Sequence, residues 1–208
     1  MTYGEVKHTA LKLLFSDTSA GQPIAESYND QADYIAAIPA LVDSAQTDIA
    51  VRARKIPAVI ALSALAGEED GGFTVYALPA DCHEIVHSGL VVKEGETLRR
   101  YGGYRLVGGK LYVPKSAPGG MELEYYRYPL SVGADPADEL ALDNSPDTHS
   151  AIPFFVAAQL VMYDDAFRYG ALKSEYEARV AALRRSVRVE RHGIDDVYGF
   201  ALWGEGEG

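Results

Sequence analysis

The sequence predicts an α+β fold, in which a helical bundle carries an inserted antiparallel β module and ends in an extended C-terminal tail. Apolar residues recur at helical spacing in residues 1–56 and 131–190, whereas glycine and β-forming residues dominate residues 57–130. Because both helical stretches carry apolar stripes that need a partner, we expect them to form one core around the insertion. Residues 191–208 mix aromatic residues with glycines and are predicted to be a docking tail.

Two apolar stripes predict the helices of the first stretch. Thr2 and Glu5 have capping-box spacing at the start of a helix over residues 1–15. Asn29 or Asp30 is expected to cap a second, longer helix. The stripe of this second helix comprises Tyr34, Ile38, Leu41, Ala45, Ile49 and Ile56. We expect Pro39 to kink or split the helix and Pro57 to end it, because proline removes a backbone donor and crowds the preceding turn.

Three patterns predict strands in the β module. Residues 73–78 (FTVYAL) are rich in β-formers and are followed by Pro79, which should stop the strand. Residues 105–112 (RLVGGKLY) predict a hairpin, because Gly108 and Gly109 can adopt the positive φ angles of a tight turn. Residues 121–125 alternate apolar and acidic side chains, which is typical of a strand with one buried face.

Helix is predicted to return near Ser150, with Pro153 tolerated in the first turn. Residues 152–163 are apolar nearly all round, which indicates burial on several sides and gives more apolar surface than one small bundle needs. Gly170 is expected to permit a break. The stripe of the helix after this break comprises Leu172, Tyr176, Val180, Leu183 and Val187.

His83-Glu84-Ile85-Val86-His87 fits the H-E-x-x-H motif, in which two histidines one helical turn apart bind zinc and the glutamate activates water. Gly89 follows closely and leaves room for only a short helix, so we prefer a hypothesis in which Asp81 caps a short surface helix and the histidines are ordinary polar residues. The zinc hydrolase built on His83, Glu84 and His87 remains the alternative.

Other chemical signals in the sequence are weak. Cys82 adjoins His83, but sequence neighbours rarely face one another, so an incidental thiol is the preferred interpretation. Residues 68–70 (EED) precede two glycines and are predicted to form a solvated loop. We therefore expect a protein that is not an enzyme, with no catalytic, cofactor-binding or metal-binding residues and no membrane segment. The net charge, 19 − 30 = −11 for Lys plus Arg against Asp plus Glu, argues against a protein that grips nucleic acid phosphates.

The sequence also bears on the setting of the protein. The single cysteine, Cys82, excludes an internal disulfide framework and a multi-cysteine zinc ribbon. No secretory signal is visible at the N-terminus, and no apolar run reaches the roughly 20 residues of a membrane span. We expect an intracellular, reducing environment.

Two groups of residues near the C-terminus are candidates for contacts. Arg184, Arg185, Arg188 and Arg191 form a basic cluster. The cluster is interpreted either as favourable charge at a helix C-terminus or as a contact with an acidic partner or with DNA. The tail carries Val197, Tyr198, Phe200, Leu202 and Trp203. A segment this short does not bury such residues alone, so it either folds back on its own domain or becomes ordered on a partner.

Several stretches, in their order and spacing, resemble the head-to-tail adaptor (connector) proteins of tailed bacteriophages, of the longer type with a β insertion in a helical core. The resemblance covers about residues 2–190. It is carried by Tyr28–Ala50 (YNDQADYIAAIPALVDSAQTDIA), Val75–Cys82 (VYALPADC), Gly108–Val113 (GGKLYV), Met121–Pro129 (MELEYYRYP) and Phe155–Asp165 (FVAAQLVMYDD).

The resemblance implies a virion component of the neck, between capsid and tail, that is assembled in the host cytoplasm. Members of the family form a ring of twelve copies under the portal protein, extend the DNA channel and receive a tail or stopper protein. Their C-terminal segments reach into the portal, which here corresponds to residues 197–203. DNA is expected to pass the acidic chain without specific binding. Another neck or tail component remains an alternative to the adaptor.

Overall fold

The structure is a computed structural model that describes residues 1–15, 32–94 and 97–201, apart from the side chains of residues 88, 94 and 186–201. The chain divides into two compact units. The helical unit comprises Met1–Arg54 and Pro129–Gly208, and the β unit comprises Lys55–Tyr128. Within the residues that the structure describes, four α-helices and two antiparallel sheets confirm the predicted α+β class.

Helix α1 (Tyr3–Leu14) begins at the predicted capping box. The Glu5 amide donates to the Thr2 hydroxyl at 3.3 Å, and the Thr2 amide donates to the Glu5 carboxylate at 2.9 Å. These two bonds satisfy amides that have no partner within the helix, which fixes the start of α1.

Helix α2 (Ala32–Arg52) contains Pro39 and is not divided by it. The predicted end of the helix was four residues too late, because α2 ends at Arg52 and Ile56 already begins strand β1 (Ile56–Ala61). Pro57 therefore lies in a strand, and β1 is an edge strand, where a residue without an amide proton is tolerated. The predicted caps, residues 29 and 30, lie outside the described residues.

Helices α3 (Ile152–Leu160) and α4 (Ala166–Ala201) follow, with Pro153 in the first turn of α3 as predicted. The predicted break at Gly170 is wrong, since the break lies at residues 161–165 and Gly170 is inside α4. The Asp165 carboxylate accepts a hydrogen bond from the Arg168 amide at 2.9 Å, which starts α4 before the glycine is reached. Helix α4 also includes residues 191–201, which the sequence analysis placed in an extended tail.

All four helices contribute to the core of the helical unit. Its fully buried large side chains are Tyr176, Ile38, Ile49, Ile152, Gln46, Val6, Val42, Val156 and Val180. Most of α3 is buried here, so the surplus apolar surface expected from residues 152–163 is largely used within the unit.

The β unit contains two four-stranded antiparallel sheets. The first sheet has the order β1, β8 (Met121–Arg127), β4 (Cys82–Glu94) and β5 (Thr97–Arg100). The second has the order β2 (Gly67–Asp70), β3 (Phe73–Ala77), β7 (Lys110–Pro114) and β6 (Arg105–Val107). Both sheets supply side chains to one core, which includes Leu90, Leu123, Leu111 and Val113.

The predicted strands of this unit are confirmed, and one predicted loop is wrong. Strand β3 ends before Pro79, and Gly108 and Gly109 join β6 to β7 with φ angles of 57° and 74°. The alternation in residues 121–125 places Met121, Leu123 and Tyr125 in the core. Residues 68–70 belong to β2 because they pair with β3, although every residue of β2 is exposed.

Candidate functional site

The first half of α4 is anchored in the core of the helical unit by the predicted apolar stripe. Leu172, Tyr176 and Val180 are buried, and Leu183 packs half-buried against the same core. Leu183 is the last side chain of α4 that the structure describes in this core. Three of the predicted docking residues, Val197, Tyr198 and Phe200, follow it on the same helix.

A buried hydroxyl and one ion pair join α4 to α2, and a second ion pair within α2 completes the network. Tyr176 donates its hydroxyl to Asp48 at 2.5 Å, and the Arg52 guanidinium donates to Asp48 at 2.8 Å and to Glu177 at 2.5 Å. Burial, reinforced by the bond to Asp48, raises the pKa of Tyr176. The hydrogen bond from Arg52 lowers the pKa of Glu177 and, in return, raises the pKa of Arg52. The network holds α4 against α2 in one register.

The sequence alone indicates only part of this network. Asp48 and Arg52 have the i, i+4 spacing of a helical ion pair, which was a visible signal. Glu177 gave no signal, because its partner lies 125 residues away in the chain.

The predicted basic cluster is only partly within the described side chains. Arg184 donates from Nε to the Arg52 carbonyl at 2.6 Å, so it satisfies the last turn of α2, a helix other than its own. The Arg185 side chain is exposed. The side chains of Arg188 and Arg191 lie outside the described residues, so a contact of the cluster with an acidic partner or DNA stays a prediction.

A groove of about 380 Å³ is formed in part by the two residues that precede Arg184 in α4. It is lined by Arg54, Asp147, Ser150, Arg179, Ala182 and Leu183. Arg54 pairs with Asp147 at 2.6 Å. Burial of Asp147 opposes its ionisation, but hydrogen bonds from Ser145 and Arg54 outweigh burial and lower the pKa of Asp147. The groove therefore carries charged side chains, two of which, Arg54 and Asp147, already form an ion pair with each other.

The predicted docking residues of the tail fall at the edge of the described region. Val197, Tyr198 and Phe200 belong to α4, but their side chains lie outside the described residues. Leu202 and Trp203 lie outside the described residues altogether. Their role as partner anchors stays a prediction.

The H-E-x-x-H residues lie in strand β4, so the expected short surface helix capped by Asp81 is wrong. Four residues of strand span about 13 Å, whereas the H-E-x-x-H motif of zinc peptidases holds its two histidines one turn apart on a helix. The His83 ring lies 5.1 Å from the Tyr128 ring, and Glu84 pairs with Lys55. These contacts stabilise the β unit and do not form the arrangement of a zinc peptidase.

The Cys82 thiol is not activated. Burial, with a smaller contribution from the Asp81 carboxylate, raises the pKa of Cys82 and disfavours the thiolate that a nucleophile requires. Within the described part of the chain, His, Cys, Asp and Glu side chains do not gather in a group of three or more that could hold a metal ion. Across residues 1–15, 32–94 and 97–201, no helix has the length and apolar content needed to cross a membrane.

Comparison with protein-family models gives a match over most of the chain. The family model described as SU10 adaptor protein matches residues 1–197, which includes both compact units and all but the last residues of α4. A search of curated proteins finds no match.

Proposed function

The chain belongs to the SU10 adaptor protein family, and from this we propose that it is the head-to-tail adaptor of a tailed bacteriophage, a structural protein that forms a ring under the portal. The observation that carries the proposal is the extent of the family match, which spans residues 1–197 and so covers the helical core, the β insertion and all but the last residues of α4. In this role the protein sits in the virion neck after assembly in the host cytoplasm. The ring extends the DNA channel and offers a platform to a tail or stopper protein.

The C-terminal segment is the proposed attachment to the portal. The core and the Tyr176 network hold the first half of α4. The helix then continues for 18 residues from Leu183 to Ala201, about 27 Å at 1.5 Å per residue. Aromatic anchors commonly dominate the energy of a protein interface, and Tyr198, Phe200 and Trp203 are such residues. A core-anchored helix that delivers aromatic residues to portal clefts would link the two rings.

Portal-dependent ring formation follows from this arrangement. Because this segment attaches each copy to a portal cleft, ring formation is conditional on the portal. Repeated portal clefts then bring adaptor subunits together at high effective concentration, so weak contacts between neighbours suffice. The net charge of −11 suits a channel component, because an acidic wall repels DNA phosphates and lets the duplex slide.

The proposal is tested by copy number and position. Purified protein is mixed with portal rings of the same phage, and particles are examined by electron microscopy and native mass spectrometry. We expect a second ring of twelve copies on one face of the portal. Six or three copies per particle would instead assign the protein to another neck or tail component, and no bound protein at all would contradict the adaptor role.

A further inference from the structure

Two aromatic side chains form the most exposed large apolar feature of the described residues. Tyr163 is 90% exposed and Phe167 is 87% exposed, at the turn between α3 and α4. We call these two residues the aromatic corner. Exposed aromatic side chains on a fixed backbone are typical of interface anchors, because little conformational entropy is lost when they bind.

Hydrogen bonds fix the backbone that carries the aromatic corner. The amides of Asp164 and Asp165 donate to the Val161 carbonyl at 3.1 and 3.0 Å. The Arg168 guanidinium donates to the Leu14 carbonyl at 2.7 Å, which ties the start of α4 to the end of α1. Tyr34 in α2 donates its hydroxyl to Asp164. The corner is thus held by bonds to α1 and α2.

The same unit carries an open groove of about 560 Å³, which we call the α2–α3 groove. It is lined by Asp43, Ser44, Thr47, Asp48, Val51 and Phe155. This volume falls in the range of pockets that hold small organic groups, so one aromatic ring can enter it.

The polar groups of the α2–α3 groove are largely occupied within the chain. Asp43 accepts hydrogen bonds from the Ser131 hydroxyl and the Val132 amide, and Ser44 donates to the Ala40 carbonyl at 2.8 Å. Asp48 is bonded by the Tyr176 network described above. Because Asp43, Ser44 and Asp48 already have partners within the chain, the groove suits an apolar guest that contacts Val51 and Phe155.

We propose that the aromatic corner of one copy inserts into the α2–α3 groove of the neighbouring copy, with Phe167 as the principal anchor. A protrusion and a groove on different parts of one chain give a heterologous contact, which is the kind that closes into a ring. This inference rests on the proposed function, since it specifies the contact between subunits of that ring.

The size of the contact explains why it would act only on the portal. Two aromatic side chains bury about 150–250 Å² each, whereas a stable interface needs about 800 Å² per partner. The contact is therefore too small to hold two free copies together. It becomes effective when the portal places copies side by side.

Site-directed disulfide cross-linking tests this contact. In a Cys82→Ser background, a Phe167→Cys protein is mixed with a Val51→Cys protein on portal rings and oxidised. We expect cross-linked dimers at least about tenfold above those from Phe167→Cys mixed with Val59→Cys, the matched control at an exposed valine in the β unit. Equal yields from the two mixtures, or cross-links from Phe167→Cys to the portal, would overturn the inference.

A second variant keeps the test interpretable. Phe167→Ala removes the ring from an exposed position and should leave the fold unchanged, but should lower the yield of complete rings on the portal about tenfold, with partial rescue by Phe167→Leu. Wild-type levels of complete rings with Phe167→Ala would contradict the contact. Suppose that the unmodified protein forms rings on the portal, that Phe167→Ala forms them equally well, and that the Phe167→Cys and Val51→Cys mixture cross-links no more than the Val59→Cys control. In that case only this inference fails. If the unmodified protein forms no ring, the proposed function fails.

Discussion

The Arg184 guanidinium donates a hydrogen bond to the main-chain carbonyl of Arg52, the last residue of α2, at 2.6 Å. A residue of the predicted basic cluster therefore closes the C-terminus of a different helix. This hydrogen bond lies near the end of the part of α4 whose side chains the structure describes.

Replacement of Arg184 should cost stability, and replacement of its neighbour should not. We expect Arg184→Ala to lower the free energy of unfolding by about 1 kcal/mol, because a charged donor is removed from a helix-terminal carbonyl. Arg185→Ala is the matched control at an exposed arginine and should change stability by less than about 0.5 kcal/mol. Urea denaturation of the full chain measures both. Equal effects would show that the Arg184 contact does not stabilise α2.

The Arg52–Glu177 pair should make stability fall in acid. The folded-state pKa of Glu177 is lowered by Arg52, so its contribution is present above the ordinary pKa of a glutamate, near 4.5. That contribution is lost as the pH falls through the lowered pKa. Glu177→Gln should therefore flatten the decline of the unfolding free energy below about pH 5, whereas the control Glu139→Gln, at an exposed position, should keep it. A Glu177→Gln slope equal to that of the unmodified protein would contradict this account.

Much of the fold was predictable where one local signal controls the structure. The capping box of Thr2 and Glu5, the Gly108–Gly109 turn and the alternation from Met121 to Tyr125 each act within a few residues, and each is confirmed. The start of α4 was not predicted, because two local signals disagree. Asp165 can cap a helix, whereas Gly170, five residues later, suggests a break that the helix in fact tolerates.

Strand β4 was missed for a physical reason that the structure makes clear. Its pairing with β8 shifts register between Cys82 and Glu84 and again between Ile85 and Leu90. Such bulges break the two-residue alternation that identifies a strand in sequence. The stretch was therefore interpreted as a short helix.

The Tyr176–Asp48–Arg52–Glu177 network joins positions far apart in the chain, so tertiary packing alone reveals all of it.

We expect strand β4 to pack without strain only when residue 89 is glycine. A Cβ atom at residue 89 would lie 2.5 Å from the Glu124 carbonyl oxygen and 2.7 Å from the Val86 carbonyl oxygen, and both contacts are with backbone. We expect Gly89→Ala to destabilise the protein by about 2 kcal/mol, the usual cost of overpacking. Gly102→Ala is the control, since a Cβ there meets nothing within 4 Å. Thermal melts that show equal shifts for both variants would contradict the close approach at Gly89.

The H-E-x-x-H residues should not determine metal content. Because His83 and His87 lie on a strand, we expect the zinc content of the purified protein to be the same for the unmodified chain and for His83→Ala. Elemental analysis measures it. One tightly bound zinc per chain that is lost in His83→Ala, together with a peptidase activity lost in Glu84→Gln, would favour the hydrolase alternative.

Removal of the C-terminal segment tests the central claim most directly. The full chain and a chain that ends at residue 194 are each mixed with portal rings and compared by electron microscopy. Trp203→Ala and Phe200→Ala in the full chain refine the comparison, with Glu205→Ala as the control outside the aromatic residues. Circular dichroism and thermal melting check that each variant keeps the fold.

We predict that the full chain adds a second ring to the portal and that the truncated chain, although folded, adds none. Trp203→Ala and Phe200→Ala should each weaken portal binding about 30-fold, the effect of about 2 kcal/mol from an aromatic anchor, and Glu205→Ala should leave it unchanged. A truncated chain that still forms complete rings on the portal would contradict the account.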